Sequence, residues 1–244
     1  MKTYGKTDQG LIRSENQDSF ALFSPAGVQQ IAVVCDGMGG VDGGKIAGKM
    51  AVETFLAEIK KLLRDDMTVS QVREVMSYCV AQANRAVYTY MTEHTDLYGM
   101  GTTLVAALTL NDAAVVCNVG DSRAYRITKE NITQITKDHS MVEEMIERGE
   151  LTREEARTHP KRNIITRAIG PEETICCDCY TVTLDHGDKL LLCTDGLVVT
   201  VQEDDIRKTI LSASDAQSAI DRLITHAINN GAPDNVTAVL VENC

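Results

Sequence analysis

Three apolar segments of the chain end in an acidic turn. The segments are IAVVCDGMGG with Asp36, AAVVCNVGDSR with Asp121, and KLLLCTDGL with Asp195. A fourth acid, Asp234, immediately precedes the last apolar segment. An Asp at the end of a buried strand is held rigidly, and a following Gly lets the backbone turn sharply so that its carbonyl can approach a ligand. One Asp-Gly alone is usually only a turn, but the repetition at strand ends predicts a site.

A cluster of carboxylates at strand ends suits hard divalent cations. Mg²⁺ and Mn²⁺ prefer carboxylate and carbonyl oxygens together with water. Two such ions about 3.5–4 Å apart lower the pKa of a bridging water and clamp a phosphoryl group during in-line attack. The segment GLIRSENQD adds Asp18 and the cationic Arg13. The planar guanidinium of Arg13 suits bidentate phosphate binding, although an exposed Arg taken alone is usually a solvated charge.

The composition is typical of a soluble globular protein. The chain has 244 residues, of which 43% are hydrophobic and 24% are charged. This length permits one large domain or two small ones, and the lack of a linker, repeat or low-complexity tract favours a single domain over residues 1–244. The formal charge of −11 disfavours nucleic acid and anionic membranes as partners. The start of the chain has no apolar signal core and no segment approaches about 18 apolar residues, so we expect a cytoplasmic protein without membrane insertion.

The eight cysteines do not suggest a disulfide framework or a zinc site. Cys176-Cys177-x-Cys179 is too cramped for a CxxC clamp. Cys35, Cys117 and Cys193 each lie in an apolar run, where a reduced cysteine behaves as a small hydrophobic residue. These features predict free thiols and a reducing compartment.

The coarse pattern predicts an α+β fold. Short strand-type segments recur at Ser19–Phe23, Gln30–Cys35, Thr102–Leu110, Ala113–Val119, Ala124–Thr128, Ile175–Leu184, Lys189–Cys193 and Val236–Val241. Strands joined by tight turns pair antiparallel. Helical periodicity covers Lys45–Leu63, Val69–Thr92, Glu203–Leu211 and Asp215–Asn229. Because the helices come in adjacent pairs, we expect antiparallel sheets with helices packed on their outer faces.

Residues 138–170 break this pattern, because they are polar and strongly charged. We expect short helices on a surface excursion between two strands. Long insertions of this kind are often functional.

An ordered set of motifs completes the sequence evidence: R-x-x-N-Q-D at Arg13–Asp18, D-G-M-G-G at Asp36–Gly40, G-T-T at Gly101–Thr103, G-D-S-R at Gly120–Arg123, D-G at Asp195–Gly196 and D-N-V-T at Asp234–Thr237. Over essentially its whole length the chain resembles the metal-dependent protein phosphatases (PPM, or type 2C, serine/threonine phosphatases) in their short bacterial form. The resemblance implies a four-layer α-β-β-α sandwich of two antiparallel sheets flanked by helix pairs. It also implies hydrolysis of phosphoserine and phosphothreonine on proteins by a metal-bridging hydroxide, without a covalent intermediate.

The same resemblance implies a role for each motif residue. Asp36 bridges two divalent cations, Mn²⁺ or Mg²⁺, and the Gly37 carbonyl binds one of them. Asp195 and Asp234 complete the shell of the other ion.

The remaining implied roles concern the surroundings of these two ions. Asp18 touches the metal cluster directly or through water, Arg13 holds the substrate phosphate, and Asp121 with Asp195 binds a weaker third ion. Residues 138–170 correspond to a flap beside the site. The expected partners are phosphorylated proteins, a membrane Ser/Thr kinase and its substrates among them, and the chain is expected to act as a monomer. Regulators of sigma-factor partner switching are an alternative target.

Some positions depart from the family pattern. Met38 stands where eukaryotic members carry a His proposed as general acid, so the sequence names no general acid. Val41 and Lys45 replace a common His and Glu, and Val198–Thr200 lack the acid or Asn that commonly follows Asp195-Gly196-Leu197. The last change weakens the case for a tight third metal but leaves Asp36, Asp195 and Asp234 intact.

Two rival interpretations follow from the residues. Gly39-x-x-x-x-Gly44-Lys45 matches a nucleotide-binding phosphate loop, but that loop needs Ser or Thr next and residue 46 is Ile. The antiparallel strand order also opposes that fold. The second rival is a catalytically weak phosphoprotein-binding module of the same fold, which only Lys45 and Val199 favour.

Overall fold

The computed structural model describes residues 2–24, 30–40, 42–110 and 112–243. In chain order its strands are β1 (Lys2–Asp8), β2 (Ser19–Phe23), β3 (Ile31–Cys35), β4 (Gly37–Met38), β5 (Gly101–Thr102), β6 (Leu104–Thr109), β7 (Ala113–Val119), β8 (Arg123–Ile127), β9 (Ile132–Gln134), β10 (Asp178–Thr183), β11 (Lys189–Cys193) and β12 (Val236–Glu242). The helices are α1 (Gly43–Leu62), α2 (Val69–Glu93), α3 (Met141–Glu147), α4 (Arg153–Thr158), α5 (Asp195–Thr200), α6 (Glu203–Leu211) and α7 (Ala216–Asn229), with a short 3₁₀ turn at Thr95–Leu97.

Within these residues the strands form two five-stranded antiparallel sheets. The first has the order β1-β12-β11-β8-β9, and the second has the order β10-β7-β6-β3-β2. Strands β4 and β5 form a separate two-stranded ribbon at the end of the second sheet. Every pairing is antiparallel, as the tight turns predict.

Three apolar layers hold the elements together. One lies between the second sheet and helices α1 and α2, one lies between the two sheets, and one lies between the first sheet and helices α5–α7. Strand β3 shows the consequence for sequence: Ile31, Val33 and Cys35 face the helices, while Ala32 and Val34 face the other sheet. A strand covered on both faces reads as a continuous apolar run. The prediction of a four-layer α-β-β-α sandwich is therefore confirmed.

Several elements begin and end at the residues that the sequence predicts. Strands Ser19–Phe23, Ala113–Val119 and Lys189–Cys193 and helix Glu203–Leu211 have the predicted bounds. Helix α2 begins after Thr68, whose hydroxyl accepts a hydrogen bond from Gln71 N–H. In return, the Gln71 side-chain oxygen accepts a hydrogen bond from Thr68 N–H. Four elements were not predicted, namely β1, β4, β9 and α5.

The prediction that the cysteines form no disulfide is wrong for one pair. Cys117 and Cys179 are joined as a disulfide, although 62 residues separate them. The register of β7 with β10 places these two residues directly opposite each other. Cys35, Cys79, Cys176, Cys177 and Cys193 are free.

Residues 138–170, the flap segment, carry the short helices α3 and α4. The segment is tied down near its ends, where Ser140 bridges Ile165 and Ile169 bridges Thr102. That the chain is one domain with this segment as an insertion stays a prediction. In the part of the chain that the structure describes, no helix is both long and apolar enough to cross a membrane.

Candidate metal centre

Strand ends from both sheets meet at one open recess of about 480 Å³. Asp36 follows β3 of the second sheet, whereas Asp195 follows β11 and Asp234 precedes β12 of the first sheet. The predicted site residues that line the recess are Arg13, Asp36, Gly37, Asp121, Asp195 and Asp234. Asp18, next to β2, is buried. Its carboxylate accepts hydrogen bonds from Thr194, which precedes Asp195, and from Thr237, which follows Asp234 by three residues. The structure therefore brings every predicted site residue to one place.

Asp36 is fixed by its own backbone. Its N–H donates to Thr103 Oγ1 at 2.9 Å, and its carbonyl accepts from Thr103 N–H at 2.9 Å and from the Thr102 hydroxyl at 2.8 Å. The next residue must be a glycine, because a Cβ on Gly37 would lie 2.1 Å from the carbonyl oxygen of Gly44. Strand β3, ribbon β4–β5 and the start of α1 thus hold this carboxylate in one position.

Asp18 is anchored through one carboxylate oxygen only. Its Oδ2 accepts from the Thr237 hydroxyl at 2.6 Å and from the Thr194 hydroxyl at 3.0 Å. Its Oδ1 is buried without a hydrogen-bond partner, and so is Oδ1 of Asp195. A buried anionic oxygen without a donor is costly, and a cation is the usual partner that removes the cost. These two unpartnered oxygens fit a site built for metal.

The acids also raise one another's pKa. Burial, followed by repulsion from neighbouring carboxylates, raises the pKa of Asp18 to about 7 and that of Asp195 to about 6. Burial and the charge of Asp195 raise the pKa of Asp121 to about 8. Burial and the charge of Asp18 raise the pKa of Asp36 well above its ordinary value. Without a cation this cluster resists ionisation at neutral pH.

The carboxylates are spread more widely than the ligands of one ion. Among the described residues, no three of them bring one oxygen each within 4.8 Å of one another. Ligand oxygens of one Mg²⁺-sized ion lie within about twice the 2.1 Å metal–oxygen distance. The spacing therefore fits more than one ion, with water and the Gly37 carbonyl supplying the remaining ligands.

At the mouth of the recess, Arg13 pairs with Asp234. Arg13 Nη2 donates to Asp234 Oδ2 at 2.7 Å, and the Arg13 side chain is 59% exposed. Asp234 Oδ1 accepts from Asn235 N–H at 2.8 Å. In this structure both oxygens of Asp234 are engaged by the protein, in contrast to those of Asp18 and Asp195.

Asn235 holds the loop that carries Arg13. Its Nδ2 donates to the carbonyls of Gln9 at 2.8 Å and Glu15 at 2.9 Å, while its Oδ1 accepts from Gln17 N–H at 2.9 Å. Three bonds from one buried amide fix residues on both sides of Arg13. The position of the guanidinium therefore depends on the residue next to Asp234.

The flap segment starts from a fixed histidine. His139 is buried, and its Nδ1 accepts from Gly120 N–H at 3.1 Å, so its Nε2 carries the proton that is donated to Asp178 Oδ2 at 3.1 Å. Burial lowers the pKa of His139, which agrees with a neutral ring. Arg167 donates to the other oxygen of Asp178 at 3.1 Å. His139 is thus a structural residue, and the flap segment reaches the recess through Asn163 and Ile165 instead.

Sequence reasoning missed the side chains that support the acids. These are the hydroxyl residues and the amide described above, namely Thr103, Thr194, Asn235 and Thr237. Each is a polar residue within or next to an apolar strand, and that contrast is the signal that could have found them. Arg123, which the motif also contains, pairs with both oxygens of Asp138, with its Nη2 2.7 Å from Oδ2, so its guanidinium is engaged by the protein. Val41, one of the departures from the family pattern, lies outside the described residues.

Comparisons with known proteins agree with this geometry. The family model described as Protein phosphatase 2C matches residues 13–242. The serine/threonine phosphatase stp of Listeria innocua is 37% identical over 237 residues, which cover 97% of this chain and 94% of that protein. The crystal structure of the serine/threonine phosphatase Stp1 from Staphylococcus aureus superposes with a TM-score of 0.92 at 35% identity, over 98% of this chain and 93% of that one. The catalytic domain of the serine/threonine protein phosphatase PstP, solved with two manganese ions, superposes with a TM-score of 0.83 at 31% identity, over 98% and 96% of the two chains.

Proposed function

Because the chain belongs to the protein phosphatase 2C family, we propose that it hydrolyses phosphoserine and phosphothreonine on proteins with two divalent cations, Mn²⁺ or Mg²⁺, bound in the recess. The observation that carries the proposal is the pair of buried oxygens without partners, Asp18 Oδ1 and Asp195 Oδ1. They lie where strand ends from both sheets meet. A cation bound between these acids would give both oxygens a partner while the carboxylates stay ionised.

The metal-holding roles fall to the acids of the recess. Asp36 and the Gly37 carbonyl would hold one ion, and Asp36, Asp195 and Asp234 would hold the second. Asp18 contacts the pair directly or through water, and Asp121 with Asp195 holds a weaker third ion. When bound, the ions lower the pKa of water and neutralise phosphoryl oxygens.

Arg13 binds the substrate phosphate. It lies at the mouth of the recess, is more than half exposed, and carries donors that match two phosphoryl oxygens. Its contact with Asp234 competes with that role. A cation held by Asp234 would share the charge of that carboxylate and would weaken its contact with Arg13.

The leaving alkoxide takes its proton from water of the site or from a nearby acid. Among the described residues that line the recess there is no histidine, and Met38 occupies the position of the family's proposed acid. His139 donates to Asp178 and has no proton to spare for substrate. The departing Ser or Thr alkoxide is therefore protonated by water of the site or by a nearby carboxylic acid, and no histidine takes this role.

The substrates are phosphorylated proteins, with a membrane Ser/Thr kinase and its targets as the expected set. The chain acts in the cytoplasm as a monomer. Its net charge of −11 favours a phosphosite on a basic or neutral segment over an acidic one.

The first experiment measures phosphate release from a phosphothreonine peptide with Mn²⁺, with Mg²⁺ and with EDTA. We expect release that requires the ion and disappears in Asp195→Asn. Asp96→Asn is a matched control, since Asp96 is exposed and does not line the recess. A folded protein that binds the phosphopeptide but releases no phosphate with either ion would instead favour the binding-module alternative.

A further inference from the structure

Three cysteine sulfur atoms meet on the face of the second sheet that packs against α2. Cys117 is buried in that layer, and Cys177 and Cys179 are half-buried against it. The Sγ atoms of the three residues all lie within 4.8 Å of one another. In the part of the chain that the structure describes, no other group of three metal-ligating side chains is this compact.

Strand register creates the cluster. Cys179 on β10 lies directly opposite Cys117 on β7, with 4.3 Å between their Cα atoms. Cys177 comes two residues before Cys179, and residues two apart in an extended segment point to the same face. Its Sγ lies 3.7 Å from Cys179 Sγ and 3.4 Å from the hydroxyl of Ser77 on α2. Three cysteine sulfurs from two segments thus lie close together on one face of the sheet.

We propose that, in the reduced protein, Cys117, Cys177 and Cys179 bind a soft d¹⁰ cation such as Cu⁺ or Zn²⁺ through three thiolates. Thiolate ligands select such ions over the hard cations that carboxylates bind. A metal–sulfur distance of about 2.3 Å allows two sulfurs on one ion to be at most about 4.6 Å apart. The observed separations meet this limit with small side-chain movements. Binding displaces one proton from each thiol and transfers no electrons.

The disulfide of Cys117 with Cys179 and the metal site exclude each other. The disulfide removes two of the three ligands, and its formation needs a two-electron oxidant such as another disulfide. The free Cys177 distinguishes the two states, because the disulfide does not use it and the metal does.

The test is a Cd²⁺ titration of the full chain, reduced with a phosphine and kept free of oxygen. Thiolate-to-cadmium charge-transfer absorption reports sulfur ligation and ignores Cd²⁺ held by the aspartates. We expect one equivalent with the intensity of three thiolates, and a loss of affinity of about tenfold or more in Cys177→Ser. Cys176→Ser is the matched control, since Cys176 is exposed and adjacent to Cys177, and it should bind as the unaltered protein does.

Two further variants and one oxidised sample complete the test. Asp36→Asn should leave the charge-transfer band unchanged, and protein oxidised with glutathione disulfide should lose it. Cys179→Ser, which removes the sulfur that contacts both of the others, should lose the band even if Cys177→Ser is partly compensated. An unaltered band in both Cys177→Ser and Cys179→Ser, or no band in the reduced protein, would overturn the proposal.

Discussion

The floor and the rim of the recess are built differently. The floor (Asp18, Asp36 and Asp195) is held by backbone and hydroxyl donors and leaves buried oxygens without partners. The rim (Arg13 and Asp234) is more exposed, and its two side chains satisfy each other. A cation would give the buried oxygens of the floor a partner with the carboxylates ionised, whereas the rim can exchange one partner for another. A rigid floor suits metal binding, and an exchangeable partner of Asp234 suits Arg13 to substrate capture.

The largest effect is expected from Asp36→Asn. If Asp36 is the ligand common to both ions, as proposed, its loss should reduce kcat by about 10³-fold or more. The metal-free fold should survive, since the substitution removes a charge that burial disfavours. Steady-state kinetics with Mn²⁺ and thermal unfolding with EDTA measure both. Near-normal turnover would sink the two-metal assignment.

The next effect concerns pH and metal together. The ordinary pKa of an Asp is 3.8, and in the folded protein the pKa is about 6 for Asp195, about 7 for Asp18 and about 8 for Asp121. Between the unfolded and folded values the native state binds more protons, so the stability of the metal-free protein falls as pH rises.

We therefore expect the Tm in EDTA to fall by about 5 °C or more between pH 5 and pH 8. Saturating Mn²⁺ should raise the Tm most at the higher pH, because cations compete with those protons. Differential scanning calorimetry at each pH tests this. A metal-free Tm that rises over the same interval would contradict the assignment of the floor.

Arg13→Ala should separate rim from floor. We expect kcat/KM for a phosphopeptide to fall by about 10- to 100-fold, since charge-assisted bonds to phosphate are lost. The affinity for Mn²⁺ should not fall, because the substitution frees Asp234 from a competing partner. Calorimetric titration with Mn²⁺ measures the second quantity. A parallel loss of metal affinity would show that Arg13 belongs to the floor.

The smallest effect is expected from Thr237→Val. The substitution removes the 2.6 Å bond to Asp18 Oδ2 and should weaken Mn²⁺ binding by about 3- to 10-fold, the equivalent of about one ordinary hydrogen bond. Thr181→Val is the matched control, since Thr181 is exposed on β10. Equal Mn²⁺ affinity in both variants would remove Thr237 from the support of the floor.

The elements that could be predicted from the sequence are strands buried on both faces and helices with apolar residues at three- and four-residue spacing. Strands such as β7 lie between two apolar layers, so their sequences are continuous apolar runs that end at turns. Strand β1 was missed because KTYGKTD has no such run, and its seven-residue pairing with β12 is a tertiary fact. Helix α5 was missed because the Asp195-Gly start and the β-branched Val198, Val199 and Thr200 favour a turn or strand, and packing against α7 and β12 overrides that preference.

The part of the site that could be predicted from the sequence is the set of acids at strand ends. The acids stand next to glycines or at strand starts, so their convergence could be inferred from motif order. The disulfide could not be inferred, because the register of β7 with β10 is set by pairing across 62 residues. The same is true of the Asp18 anchors: Thr194 and Thr237 lie 176 and 219 residues away from Asp18.

Asp36 is attached to the second sheet, and Asp195 and Asp234 are attached to the first, so bound ions would cross-link the two layers at one edge. This cross-link would oppose the separation of the two sheets at that edge. Elsewhere the interface between the sheets depends on small aliphatic side chains such as Ala32, Ala107 and Ala124. Local opening at that edge should therefore become rarer when the ions bind, and the amide hydrogens of Asp36, Thr103 and Thr237 should exchange with deuterium more slowly. In this view the cofactor also sets how often the two halves of the sandwich part.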